Sequence, residues 1–170
     1  MTNSIIVTKN SNKYTADLFY KNSSFKCKVG YGGISNKKLE GDRITPFGTY
    51  KLLSVFYRQD KVGKINSLLP KFKILKNMAW SNDPKDLMYN KLVRTPRKFS
   101  YENLLRHDNA YDVVIVTSFN IKPTLPNKGS AIFIHCHNDS DYTEGCISLP
   151  KNKILSFLPS LDSSSKLIIR

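Results

Sequence analysis

The sequence predicts a fold that is mainly β with a few helices. Three observations carry this: apolar runs of strand length, Gly and Pro between them, and little helical periodicity. Strands are expected over residues 5–8, 14–20, 25–29, 49–57, 113–118, 131–135 and 166–169. Turn residues separate them, among them Gly30, Gly32, Gly33, Gly41, Pro46 and Gly48. Val113-Val114-Ile115-Val116 and Ala131-Ile132-Phe133-Ile134 are continuous apolar runs, as suits strands buried on both faces of a sheet or sandwich. One helix is predicted from Ser100 through Arg106, with Ser100 as N-cap and Glu102 in the first turn. Pro150 suits the first position of a second, with Ile154, Leu155 and Leu158 as its buried stripe. Residues 62–99 mix Pro, Asn, Asp and aromatics without clean periodicity. A loop that long is usually functional or conceals an unrecognised element.

The 170 residues, 40% hydrophobic, make a single domain over 1–170 with enough chain to bury a real core. No stretch approaches the roughly 18–20 apolar residues that span a membrane. The N-terminus reads MTNSIIVTKNSN, without a basic start, an apolar run or a small-residue cleavage site. The expectation is a cytoplasmic protein if the chain is native as written, and a periplasmic or cell-envelope one if a signal has been trimmed. Lys and Arg total 27 against 13 Asp and Glu, a formal charge of +14. Such a field favours anionic partners, although dispersed lysines also serve plain solubility. No basic block or recognisable module marks a nucleic-acid binder. Three cysteines, Cys27, Cys136 and Cys146, are too few and too scattered for a disulfide scaffold, and the odd number leaves at least one free thiol.

The informative segment is GSAIFIHCHNDSDYTEGCISLP, residues 129–150. A buried strand delivers His135, a polar turn follows, and Gly145-Cys146 precedes a second short apolar run. His135 and Cys146 stand eleven residues apart on two strands joined by one turn, which can bring imidazole and thiol together for nucleophilic catalysis. The thiolate is the reactive species, and a free thiol with a pKa of about 8.5 needs a base near neutral pH. Gly145 removes side-chain bulk beside the sulfur and would let backbone N–H groups approach an oxyanion. Two blander readings compete: an inert core cysteine with a structural histidine, and metal ligation by His135, His137, Cys136 and Cys146. The paired C-x-x-C spacing of structural zinc is absent.

The His135 and Gly145-Cys146 segment resembles the catalytic motif of the L,D-transpeptidase (YkuD-type) family. The stretch GDRITPFGTY, residues 41–50, resembles that family's Thr-Pro-x-Gly-x-aromatic signature. GYGG at 30–33, WSNDPKDLMYN at 80–90 and LRHDNAYD at 105–112 are similar to a bacterial subgroup. Trp80, Asp83, Tyr89, Asn90, Arg106 and Tyr111 are its recurring positions. The resemblance implies a YkuD-like β-sandwich around a catalytic cleft, with no metal or organic cofactor. It implies that Cys146 attacks the amide after the L-centre of diaminopimelate in a peptidoglycan tetrapeptide, expelling D-alanine. His135 would be the base, and N–H groups at Gly145 and Cys146 much of the oxyanion hole. Stem peptides or muropeptides are the expected partners, and a carbapenem the expected acylating inhibitor.

The sequence departs from the family pattern at three places. Cys136 follows the histidine where Gly is common, Thr143-Glu144 precede the Gly-Cys pair where Ser-His is common, and Ser148 stands where many members carry Arg. A carboxylate beside the nucleophile would oppose thiolate formation if it faced the sulfur. Arg106 is the expected substitute for the missing cation, binding a substrate carboxylate, against the alternative of a structural salt bridge. Trp80, Tyr89, Asn90 and Ser148 complete the expected substrate-binding set, with Trp80 and Tyr89 as simple loop anchors the alternative. Two further functions stay open: an L,D-carboxypeptidase or amidase that passes the same acyl group to water, and a catalytically dead wall-binding module.

Overall fold

A computed structural model describes residues 3–37 and 39–170; Met1 and Thr2, which open the N-terminal segment read above, lie outside the described residues. The chain begins with strands β1 (Ile5–Lys9), β2 (Thr15–Tyr20) and β3 (Ser23–Lys28), then short β4 (Ile34–Ser35) and β5 (Thr45–Pro46), and the long β6 (Gly48–Tyr57). A four-residue helix α1 (Gln59–Val62) precedes β7 (Lys71–Lys73), β8 (Met78–Ser81), β9 (Leu92–Arg94) and β10 (Tyr101–Asn103). The last third holds β11 (Val113–Thr117), β12 (Phe133–Cys136), β13 (Ile147–Leu149), helix α2 (Lys151–Phe157) and β14 (Lys166–Ile169).

Nine strands form one sheet in the order β11-β12-β13-β3-β2-β1-β14-β6-β7. It curls until β6 pairs with β11 as well as with β14, so the sheet closes on itself. Alternation along the strands sends Ile5, Val7, Leu18, Val113, Ile115, Ile134, Ile147 and Leu167 into one core, which Ile154 and Phe157 of α2 join. The opposite face of the same strands feeds a second core. There Val114, Val116 and Phe133 meet Trp80 and Met78 of the small sheet β10-β8-β9. The apolar runs at 113–116 and 131–134 thus have a physical reason: β11 and β12 are covered on both sides. Among the described residues no helix is long and apolar enough to cross a membrane.

Two expectations need correction. The segment predicted as a helix from Ser100 to Arg106 contains strand β10, paired with β8 in the register Glu102↔Trp80. Ser100 caps nothing; its hydroxyl bonds Asn82 across the small sheet, so tertiary pairing overrides a weak local signal. The irregular stretch 62–99 holds three short strands: β7 pairs with β6, while β8 pairs with β9 within the stretch and with β10 beyond it. The second predicted helix forms, beginning one residue after Pro150 with Ile154 and Phe157 buried, and Leu158 opens a 3-10 turn that follows it.

Candidate active site

β12 and β13 run parallel, in the register Ile134↔Ile147 and His135↔Ser148. Residues 137–146 are therefore a crossover loop and not the single turn expected, because parallel neighbours cannot be joined by a tight turn. The loop delivers Cys146 one residue ahead of β13, on the side where Phe133 packs, and a cavity of about 910 Å³ lies over it. Cys146, His135, Tyr111, Glu102, Arg106 and Glu40 all contribute to its wall.

His135 is 7% exposed and its Nδ1 lies 2.8 Å from the carbonyl oxygen of Cys136. A carbonyl only accepts, so Nδ1 carries the proton and Nε2 is left as the basic nitrogen. The Tyr111 ring stands edge-on to the imidazole, centroids 5.3 Å apart, and fixes its plane from the side. Burial pulls the imidazole pKa down to about 4. The Cys146 thiol donates to the Ala131 carbonyl at 2.9 Å, and its sulfur accepts from the Phe133 N–H at 3.3 Å. Burial, with the Glu102 charge adding to it, pushes this thiol up to about 12. At neutral pH the resting pair is thus a thiol and a neutral imidazole. Proton transfer between them is uphill, and suits a step in which sulfur attacks as the proton leaves.

Two buried hydroxyls hold the backbone around Cys146. Thr45 donates to the Gly145 carbonyl at 2.8 Å and accepts from the Gly30 N–H at 2.8 Å. Thr143 donates to the Cys146 carbonyl at 2.6 Å and accepts from the Gly145 N–H at 3.1 Å. That last bond occupies one of the N–H groups expected to face an oxyanion. Gly145 is glycine for a steric reason: its φ is +133°, and a Cβ would meet the Ile44 carbonyl oxygen at 3.0 Å.

Arg106 lies on the cavity wall, but its guanidinium is already engaged. Nε and Nη2 grip Asp108 at 2.9 and 2.5 Å, and Nη1 reaches Glu102 at 3.3 Å. Glu102 also accepts from the Tyr111 hydroxyl at 2.6 Å, and burial raises its carboxyl pKa. Glu144 turns outward, 67% exposed, onto Arg43 at 2.6 Å. The carboxylate that raises the thiol pKa is Glu102, from the small sheet, and not the neighbour in sequence.

The cavity wall does not include Trp80, Tyr89, Asn90 or Ser148. Trp80 donates its indole N–H to Asn90 Oδ1 at 2.9 Å, and its ring meets Phe133 edge-on with centroids 5.0 Å apart. Tyr89 bonds Glu40 and accepts from the Gly129 N–H. Ser148 bonds His137 Nδ1 at 2.9 Å. These residues brace the walls from behind. Thr45, Thr143, Glu102, Glu40 and Ala131 were absent from the expected site. Thr45 was visible as part of the Thr-Pro-x-Gly element, yet its grip on Gly145 spans one hundred residues and leaves no local trace. Among the described residues no group of three or more His, Cys, Asp or Glu is placed to hold a metal.

A profile of the YkuD family, the L,D-transpeptidase catalytic domain, matches residues 3–169. The chain belongs to this family. Similar solved structures include Bd1075 of Bdellovibrio bacteriovorus, 11% identical with a TM-score of 0.48, covering 99% of this chain and 48% of that one. L,D-transpeptidase 1 of Mycobacterium tuberculosis is 9% identical with a TM-score of 0.42, covering 98% of this chain and 61% of that one. An L,D-transpeptidase of Mycobacterium smegmatis is 11% identical with a TM-score of 0.38, covering 98% and 58%. The chain spans less than two thirds of the length of each of these proteins. No match was found among curated protein sequences.

Proposed function

We propose that this chain is a peptidoglycan L,D-transpeptidase that uses Cys146 as nucleophile and His135 as base. The observation that carries the reading is the tautomer of His135. Its Nδ1–H is spent on the Cys136 carbonyl, which leaves Nε2 as a base in the cavity that Cys146 also lines. Cys146 Sγ attacks the carbonyl carbon between diaminopimelate and D-alanine in a tetrapeptide stem, and its proton passes to His135 Nε2. Collapse of the tetrahedral intermediate breaks the C–N bond, and His135 returns that proton to the departing D-alanine amine. An amine of a second stem then attacks the thioester, losing its proton to His135; the C–S bond breaks, His135 passes that proton to the departing sulfur, and a cross-link and a free thiol result. In the resting structure the Gly145 N–H is held by Thr143. The oxyanion accordingly falls first to the Cys146 N–H, and Gly145 joins on release from Thr143. The reading places the protein in the periplasm or cell envelope, where its substrate is.

Intact mass after incubation with a carbapenem, and separately with a purified tetrapeptide muropeptide, tests this. Wild type and Cys136→Ala should gain the adduct and release D-alanine, while Cys146→Ala does neither. Cys136 makes a fair control, since it is buried in the other core with its thiol pushed up to about 11. D-alanine release without cross-linked product would reassign the enzyme as an L,D-carboxypeptidase. No adduct and no D-alanine from any variant would leave a wall-binding module.

A further inference from the structure

Ala131 has a φ of +51°, a conformation that a residue with a Cβ rarely adopts without being held there. Two bonds hold this stretch. The Ala131 N–H donates to Asn90 Oδ1 at 3.0 Å, and the next carbonyl, that of Ile132, accepts from the Thr117 hydroxyl at 2.6 Å. Asn90 is itself at a φ of +56° and is anchored from two other directions. Its Oδ1 accepts from the Trp80 indole, and its Nδ2 donates to the carbonyls of Phe119 and Asn120 at 3.0 and 2.8 Å. What this arrangement aims is the Ala131 carbonyl, which receives the Cys146 S–H at 2.9 Å. Among the described residues no hydrogen bond joins Cys146 to His135.

We propose that the Ala131 carbonyl parks the nucleophile in its protonated form, and that Asn90 is the positioning residue that sets that carbonyl. A carbonyl oxygen stabilises a thiol and repels a thiolate, so the same contact favours the resting state and opposes the charged one. The S–H proton is held on Ala131 until substrate is present. It then transfers to His135 Nε2 as sulfur bonds to the substrate carbonyl, and sulfur leaves the Ala131 oxygen behind. This assigns Asn90 a role that needs no contact with substrate and that fits its place behind the cavity wall. The inference rests on Cys146 being the nucleophile, but its test does not, because the hydrogen bond exists whether or not Cys146 reacts.

The test is the S–H stretching band of Cys146, isolated by Raman spectroscopy as the difference between wild type and Cys146→Ala. The band should lie below the frequency of a free thiol, and Asn90→Ala should move it up. The same variant should raise the alkylation rate of Cys146 by iodoacetamide at pH 7.5 about tenfold, through a lower apparent thiol pKa. Trp80→Phe is the comparison. It removes a bond from the same anchor but leaves Asn90 on Ala131, so band and alkylation rate should stay as in wild type. A wild-type band at the free-thiol frequency would overturn the proposal even if Asn90→Ala failed to fold. So would equal shifts in Asn90→Ala and Trp80→Phe, which would mark a general loosening. Carbapenem acylation of wild type, measured alongside, separates this outcome from failure of the Cys146 assignment.

Discussion

Burial keeps His135 neutral, and this has a consequence for stability that can be worked out in sign. Its pKa falls from 6.5 to about 4 on folding, so between those values the unfolded chain binds the proton and the folded one does not. Stability contributed by the neutral imidazole is present above about pH 6.5 and is lost as the pH falls toward 4. The full loss is about 3 kcal/mol for this group. His137, also lowered by burial, acts in the same direction. Glu102, raised by burial, acts in the opposite one. The measurement is therefore a difference: denaturant midpoints of wild type and His135→Asn from pH 7.5 to 4.5. Wild type should lose stability more steeply than the variant, and parallel curves would mean that His135 titrates normally. The two residues proposed to carry the chemistry, His135 and Cys146, stood out in the sequence because their types and spacing are rare together. Glu102 was not, since nothing in Ser-Tyr-Glu-Asn says that its carboxylate will lie near a thiol forty-four residues away.

At the scale of elements, the backbone beside Cys146 depends on a strand too short to notice. β5 is two residues long, Thr45–Pro46, paired parallel with β4. Its work is done by the fully buried Thr45 hydroxyl, which ties Gly30 on one side to Gly145 on the other. Thr45→Val would leave a buried N–H and a buried C=O unpaired, at about 1–3 kcal/mol each. The expected result is a lower melting temperature together with at least a tenfold slower carbapenem acylation. Thr45→Ser, which keeps the hydroxyl, should recover most of the acylation rate. If Thr45→Val acylated as fast as wild type at a temperature where both are folded, the tie would be structural only.

The same scale explains which elements could be read in advance. β11 and β12 are covered on both faces, and burial of that kind shows as an uninterrupted apolar run. β10 offered a capping serine and an early acid but is fixed by its partner β8, which the sequence does not name. The parallel pairing of β12 with β13 was hidden for a similar reason. A ten-residue polar loop reads alike whether it returns as a hairpin or crosses over.

The whole molecule is charged unevenly. It carries a formal +14, and basic residues such as Lys51, Lys71, Lys85, Lys91 and Lys166 are exposed. The cavity wall, by contrast, holds Glu40, Glu102 and Asp108 beside Arg106. Outside and inside therefore do different things. A surface of this sign attracts anionic polymers, with a reach set by the Debye length, about 10 Å at 0.1 M salt and 3 Å at 1 M. Cys146 and His135 are buried and feel little of that screening. If the wall is the substrate, binding to isolated sacculi should fall several-fold between about 50 mM and 1 M NaCl, as fields from exposed charges are screened. Over the same range, acylation by a carbapenem should change by less than about twofold, because chemistry at Cys146 does not depend on the outer field. Sedimentation with sacculi and intact mass spectrometry measure the two. Binding that ignored salt would mean that the basic surface serves solubility and takes no part in finding the wall. An acylation rate that fell in step with binding would place exposed charge in the reaction itself, with the guanidinium of Arg106, one-third exposed at the cavity wall, the first group to replace.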